Sequence, residues 1–179
     1  MLRKNSWIIA VVIIVGLAAW RLPREAEPAV EAEPRPAFPG FSLETFDGEL
    51  LTHEDLRGKV VIVTFWASWC PTCTMELPLL DSLNSAIDHP DFVVIGINED
   101  RQEVAGRFMA EQLGLEMPLL LGRGYQQARY HYWGLPYTLL LDRETRVVDT
   151  WYGYPGRRAF GKKVARALQL LEEPLTGDS

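Results

Sequence analysis

The sequence predicts an α/β domain: a mixed central sheet with helices on both faces, preceded by an N-terminal hairpin and carrying a central insert. Three observations carry this. Lys59–Trp66 and Phe92–Asn98 are β-branched apolar runs too continuous for half-exposed strands, and they suit the middle of a sheet. Between them Leu77, Leu80, Leu83 and Ile87 recur at helical spacing, so strand, helix and strand imply a right-handed crossover and parallel pairing. Farther on, Thr138–Asp142 and Val147–Trp151 flank the turn Arg143-Glu144-Thr145-Arg146, which gives an antiparallel pair and makes the sheet mixed.

The remaining elements can be read in chain order. Phe41-Ser42-Leu43 and Leu50-Leu51-Thr52 alternate around Asp47-Gly48, a hairpin signal. Pro78 predicts a kink in the helix that begins near Cys73. Glu103–Leu113 reads as a helix within the insert between Asn98 and Pro118, Pro118–Leu121 as a short strand, and Tyr125–Tyr132 as a further helix. Arg158–Leu171 supplies a last amphipathic helix.

Upstream of this domain the composition changes twice. Residues 1–22 hold Arg3 and Lys4 before the uncharged run WIIAVVIIVGLAAW, Trp7 to Trp20, closed by Arg21. That is an export segment, and its basic flank places the downstream chain across the cytoplasmic (inner) membrane, on the periplasmic side. Its length lies between a signal-peptide core of ~7–15 residues and a full span of ~20. Trp7, Trp20 and Arg21 suit retention as a single-pass anchor, whereas Gly16 and Ala18, or Leu17 and Ala19, would serve as a cleavage site; the bulky Trp20 favours retention. Residues 23–39 (PREAEPAVEAEPRPAFP) read as an extended Pro, Glu and Ala linker, and 40–175 as the folded domain.

Of 179 residues, 47% are hydrophobic, enough for a core. From Gly40 onward there are 13 Lys+Arg against 20 Asp+Glu, a balance that argues against nucleic acid as a partner. The two cysteines, Cys70 and Cys73, lie too close in sequence for a disulfide between them to staple the fold, so the pair is chemical or metal-binding before it is structural.

The chemistry concentrates in Trp66-Ala67-Ser68-Trp69-Cys70-Pro71-Thr72-Cys73, where a buried strand gives way to a helix. A cysteine at a helix N-terminus meets unpaired N–H groups and the positive end of the helix dipole, which stabilise its thiolate. Cys70 is therefore the expected nucleophile and Cys73, one turn later, the resolving thiol. Pro71 suits the first helical position, where its missing N–H costs little. Trp69 is the candidate for contacting substrate, and Thr72 completes the segment between the cysteines. Half of a zinc site and inert core thiols are the competing readings; zinc needs four ligands, and no second Cys pair or close His pair is present. His131 reads as a surface histidine rather than a metal ligand.

The chain resembles the thioredoxin superfamily, and within it the membrane-tethered, extracytoplasmic branch that includes TlpA, ResA and CcmG. The resemblance runs from Phe41 to Leu171 and rests on FWASWCPTC, Pro78, Gly134-Leu135-Pro136-Tyr137-Thr138 before LLLD, and the central insert. It implies a cis Pro136 facing the active-site disulfide, with the backbone of Leu135 pairing with an extended substrate; the residues alone would make Pro136 a strand-entry proline. Thioredoxin's buried aspartate is replaced by Thr64, which cannot act as a base near neutral pH. Glu76 matches a glutamate near the active site of ResA-like proteins and is either the proton acceptor or a solvated residue in the first turns of a helix. Tyr137 stands where CcmG-like proteins carry a glutamate.

The function expected is dithiol-disulfide exchange without cofactor or metal, reducing disulfide-bearing exported proteins, with apocytochrome c a candidate substrate and a membrane thiol carrier as electron donor. A copper- or zinc-handling or redox-sensing module is the alternative. A peroxidase fits less well, because neither cysteine lies in the Pro-x-x-x-Thr-x-x-Cys context those enzymes use.

Overall fold

The computed structural model of the chain describes residues 35–173. Strands β1 (Ser42–Glu44) and β2 (Leu50–Thr52) form the expected antiparallel hairpin, with Ser42 opposite Thr52. A 3-10 turn, His53–Leu56, comes next, and the Asp55 carboxylate accepts from the Thr52 N–H (2.8 Å) and hydroxyl (2.6 Å). Then come β3 (Val60–Trp66), α1 (Pro71–Ala86), β4 (Phe92–Asn98), α2 (Glu103–Leu113), β5 (Leu119–Leu121), α3 (Gln127–Tyr130), β6 (Tyr137–Leu141), β7 (Val147–Tyr152) and α4 (Arg157–Glu172).

Five strands make the main sheet in the order β5-β4-β3-β6-β7. The β4 strand is parallel to β3 and to β5, while β6 is antiparallel to β3 and to β7. Both apolar runs thus lie inside the sheet, as their unbroken hydrophobicity requires, and every residue of β3 is buried. Side chains alternate between two cores. Val60, Ile62 and Trp66 meet Cys73, Leu77 and Leu80 of α1, Ala110 of α2, and Ala167 and Leu170 of α4. Val61, Val63 and Phe65 meet Phe38, Phe41, Leu56, Tyr130 and Tyr132. Helical cover is therefore uneven: the long helices pack on the first face, and the second is closed by the segment before β1, the 3-10 turn and α3.

The hairpin is tied to the edge strand β5. Thr45 bridges Leu120, and the Phe46 N–H donates to the Leu119 carbonyl at 2.8 Å, which covers an edge otherwise open to pairing. At the opposite end of the sheet, Phe38 is buried, Ala37 bridges Arg146, and Arg35 pairs with Asp142 at 3.0 Å. Packing thus reaches upstream of Gly40 into the stretch read as linker. Residues 1–34, with the apolar run and most of that linker, lie outside the described residues, as do 174–179.

Two local expectations are refined. The helix expected over Tyr125–Tyr132 is only the single turn of α3, ended by His131 in the left-handed region (φ 53°). Tyr130 and Tyr132 both pack on Phe65, with ring centroids 4.8 and 5.0 Å away, and residues two apart on a helix do not share a face. Helix α1 continues through Pro78 for two further turns. No helix among the described residues is long and apolar enough to cross a membrane.

Candidate active site

The β3 strand ends at Trp66, and the chain turns through Ala67-Ser68-Trp69 into α1. Cys70 is the N-cap of that helix, with extended backbone (φ −97°, ψ 105°), and Pro71 occupies N1. Cys70 and Cys73 form a disulfide, their Cα atoms 5.3 Å apart. The Cys73 N–H donates to the Cys70 sulfur at 3.2 Å, so a backbone donor of the first helical turn points at the expected nucleophile. Thr72 Oγ1 lies 3.5 Å from the same sulfur. Cys70 keeps 4% exposure, less than a residue at a helix start suggests, whereas Cys73 has none.

The turn into the helix is braced from β4. The Asp100 carboxylate accepts from the Ser68 N–H (2.8 Å), the Ser68 hydroxyl (2.9 Å) and the Asn98 side-chain amide (2.8 Å). Trp69, held by that turn, is 68% exposed beside the disulfide. Trp66 is by contrast wholly core.

Glu76, one turn beyond Cys73, has no exposed surface, which removes the reading of it as a solvated residue. Its Oε1 accepts from the Trp151 indole N–H (2.7 Å) and its Oε2 from the Thr138 hydroxyl (3.2 Å). That hydroxyl also lies 2.9 Å from Thr64 Oγ1, so the residue in thioredoxin's aspartate position joins the same buried network. Burial pushes the Glu76 carboxyl up to about 7, against the opposing pull of the Trp151 and Thr138 hydrogen bonds. A group titrating there can hold or release a proton near neutral pH.

The Leu135-Pro136 peptide bond is cis, as the resemblance implied. Leu135 packs against the cluster that contains both cysteines, and the Pro136 carbonyl accepts from the Gly153 N–H at 3.0 Å. Trp69 and Leu135 lie on one cleft of about 740 Å3, whose lining also includes Glu99 and Trp133. His131 is exposed, and among the described residues no cluster of three or more metal-ligating side chains occurs.

Sequence reasoning missed Thr138, Trp151, Asp100 and Glu99. The first two reach Glu76 from 62 and 75 residues away, and no local spacing reports that. Asn98-Glu99-Asp100 did carry a signal: polar residues directly after a buried parallel strand lie at the sheet end where α/β proteins place their sites.

A dithiol-disulfide couple at a strand-to-helix junction, above a buried carboxyl and beside a cis-proline loop, defines the class: a thioredoxin-like thiol-disulfide oxidoreductase. The chain belongs to the AhpC/TSA family, whose profile matches residues 34–160. It is 28% identical over 169 residues to the thioredoxin-like protein YneN of Bacillus subtilis, spanning 92% of this chain and 98% of that one. To the thiol-disulfide oxidoreductase ResA of Bacillus thuringiensis it is 28% identical over 116 residues, 64% of this chain and 67% of the relative. A Bacteroides thetaiotaomicron protein solved in solution superposes with a TM-score of 0.71 at 31% identity, over 77% of this chain and 89% of the other.

Proposed function

We propose that the protein reduces disulfides of exported proteins, with Cys70 as nucleophile, Cys73 as resolving thiol and Glu76 as the group that takes the Cys73 proton. The Cys70 thiolate attacks one sulfur of the substrate disulfide, that bond breaks, and one substrate thiolate leaves as a mixed disulfide forms. Cys73, its proton passed to Glu76, attacks the Cys70 sulfur; the second substrate thiolate leaves, and the Cys70-Cys73 disulfide remains. Two electrons pass from the enzyme to the substrate. The asymmetry of the pair carries this reading: Cys70 retains surface and caps the helix, while Cys73 is sealed above a buried carboxyl.

The same reading has residues 1–22 in the cytoplasmic membrane as a single-pass anchor, residues 23–34 as spacer, and the domain from residue 35 on the periplasmic side. A membrane thiol carrier supplies the electrons, and apocytochrome c is a candidate substrate. Leu135 offers its backbone to the substrate segment, while Pro71 and Thr72 shape the entry to Cys70.

Substitution of each cysteine in cells tests the roles. Cys73→Ser should accumulate mixed disulfides with exported proteins, whereas Cys70→Ser should trap nothing and lose exchange. Equal trapping by both variants would refute the assignment. The anchor is tested by a high-salt wash of membranes, which should leave the protein bound; a soluble form beginning near Trp20 would refute it.

A further inference from the structure

The cleft beside the disulfide has a composition that thiol exchange by itself does not require. On one side stands Trp69, 68% exposed, and on another Trp133, 78% exposed. Trp133 stacks on Tyr152 through one face, with centroids 4.3 Å apart, and Trp133, Gly134 and Leu135 lead directly into Pro136. Glu99 and Asp100, consecutive residues at the end of β4, belong to the same lining. Asp100 is spent on Ser68 and Asn98. Glu99 is less fully bonded: it is 7% exposed, its Oε2 accepts from the Gln126 N–H at 3.3 Å, the Tyr132 hydroxyl acts on the same carboxyl, and its Oε1, sealed against Gly122, completes no hydrogen bond.

An under-satisfied buried carboxyl costs free energy unless something offsets it. Gly122 is what makes room for this one, since any Cβ there would collide with Glu99 Oε1 and the Asn98 carbonyl. The one cation on the lining is Arg101, exposed and extended over Gly124, against two acidic residues, Glu99 and Asp100. The chain from Gly40 onward, cleft included, carries a net charge of −7. Exposed indole faces above acidic groups are the chemistry that holds an ammonium or guanidinium group.

We propose that this cleft is a specificity subsite for a cationic side chain, Lys or Arg, in the substrate segment flanking the disulfide under attack. The proposal rests on the oxidoreductase reading above and adds to it the class of substrate preferred. Trp69 and Trp133 supply the faces, and the Glu99 carboxyl, drawn into its charged form by a bound cation, supplies the countercharge. A segment paired with Leu135 would run past Trp133, which places a residue near the substrate cysteine within the cleft.

The test uses full-length protein in detergent micelles, reduced with dithiothreitol and then freed of it, and three peptides that carry an internal Cys-Ala-Ala-Cys disulfide. They are flanked at both ends by Lys, by norleucine or by Glu. The readout is the single-turnover second-order rate constant for each peptide, with that for the small neutral disulfide 2,2′-dithiodipyridine as reference. The Lys peptide should exceed the norleucine peptide about tenfold, as one cation held against aromatic and carboxylate groups implies, and the Glu peptide should be slowest. Trp133→Ala and Glu99→Gln should each bring the Lys-to-norleucine ratio toward one, and Trp133→Phe, which keeps an aromatic face, should restore most of it. Equal rates for all three peptides, a preference for Glu or norleucine, or a Lys preference that survives both Trp133→Ala and Glu99→Gln would overturn the subsite. A protein that reduces neither the peptides nor 2,2′-dithiodipyridine would instead refute the oxidoreductase reading.

Discussion

From the residues alone Glu76 is a carboxylate near the start of a helix, where a favourable dipole and solvent account for it, and only the resemblance to ResA-like proteins marks it as a proton acceptor. Its meaning comes from groups that the fold brings to it: the Trp151 indole, the Thr138 hydroxyl and, through Thr138, Thr64. The buried site holds the carboxyl near 7 rather than at its ordinary 4.5, so between those values the folded protein keeps a proton that the unfolded chain has lost. Below pH 4.5 the two states are alike. As pH rises toward 7 Glu76 increasingly destabilises the fold, and above 7 the penalty is complete at about 3 kcal/mol. Glu76→Gln, which keeps an acceptor for Trp151, should therefore gain about that much stability relative to wild type between pH 4.5 and pH 8. Urea unfolding of the disulfide form at both pH values measures it, and a difference independent of pH would sink the idea. Glu99, also pushed up to about 7 by burial, should give the variant a residual pH dependence in the same direction. In exchange kinetics, Glu76→Gln should lose the pH limb near 7 if Glu76 is the proton acceptor.

At the scale of elements, the distance between α2 and β4 is set by one missing side chain. A Cβ at Gly106 would come 2.5 Å from Asn98 Oδ1 and 2.7 Å from its Nδ2. Asn98 has little freedom to retreat, because it is buried and its amide donates to Asp100, which in turn holds the Ser68 turn before Cys70. Ala improves helix propensity over Gly by about 1 kcal/mol, but overpacking costs about 1–3 kcal/mol, and against so rigid a neighbour the overpacking cost wins. Gly106→Ala should thus lower stability by roughly 1–2 kcal/mol and slow exchange by loosening the turn; an unchanged urea midpoint would contradict this. The elements themselves were largely legible: β3 and β4 from unbroken apolar runs, α1 from its leucine spacing, and the β6-β7 pair from its turn. Long-range choices were not. Nothing local reveals that Tyr130 and Tyr132 both serve Phe65, which cuts α3 to one turn, or that Arg35, Ala37 and Phe38 are drawn out of a Pro-rich stretch to close the second core and the end of the sheet. Of the site, the cysteine pair was plain because its chemistry is carried by spacing within one turn, whereas the Glu76 network depends on three strands meeting one helix.

For the whole molecule the open matter is the direction of electron flow, and the arrangement proposed above favours donation to substrate. A domain tethered to the membrane by residues 1–22 meets a membrane-embedded thiol carrier at an effective concentration set by the spacer, on the order of millimolar for a short flexible linker. Oxidation by a soluble partner would gain little from such a tether. The environment of Cys70 points the same way. Its sulfur receives the Cys73 N–H and the neutral Thr72 hydroxyl, and Pro71-Thr72 brings no positive charge between the cysteines. The thiolate, and with it the reduced form, is stabilised less than in strong oxidants of the periplasm, whose potentials lie near about −120 mV. The Cys70-Cys73 couple should therefore have a clearly lower potential, and acid-quench alkylation of growing cells should find the pair mostly as dithiol. Replacing residues 1–22 with a cleaved export signal, which frees the domain from the carrier while leaving its chemistry intact, should shift the pair toward the disulfide without altering the potential of the purified domain. A potential near that of the strong oxidants, or a pair fully oxidised in cells with the native N-terminus, would reverse the direction; a thiol state indifferent to the tether would remove the membrane carrier from the scheme.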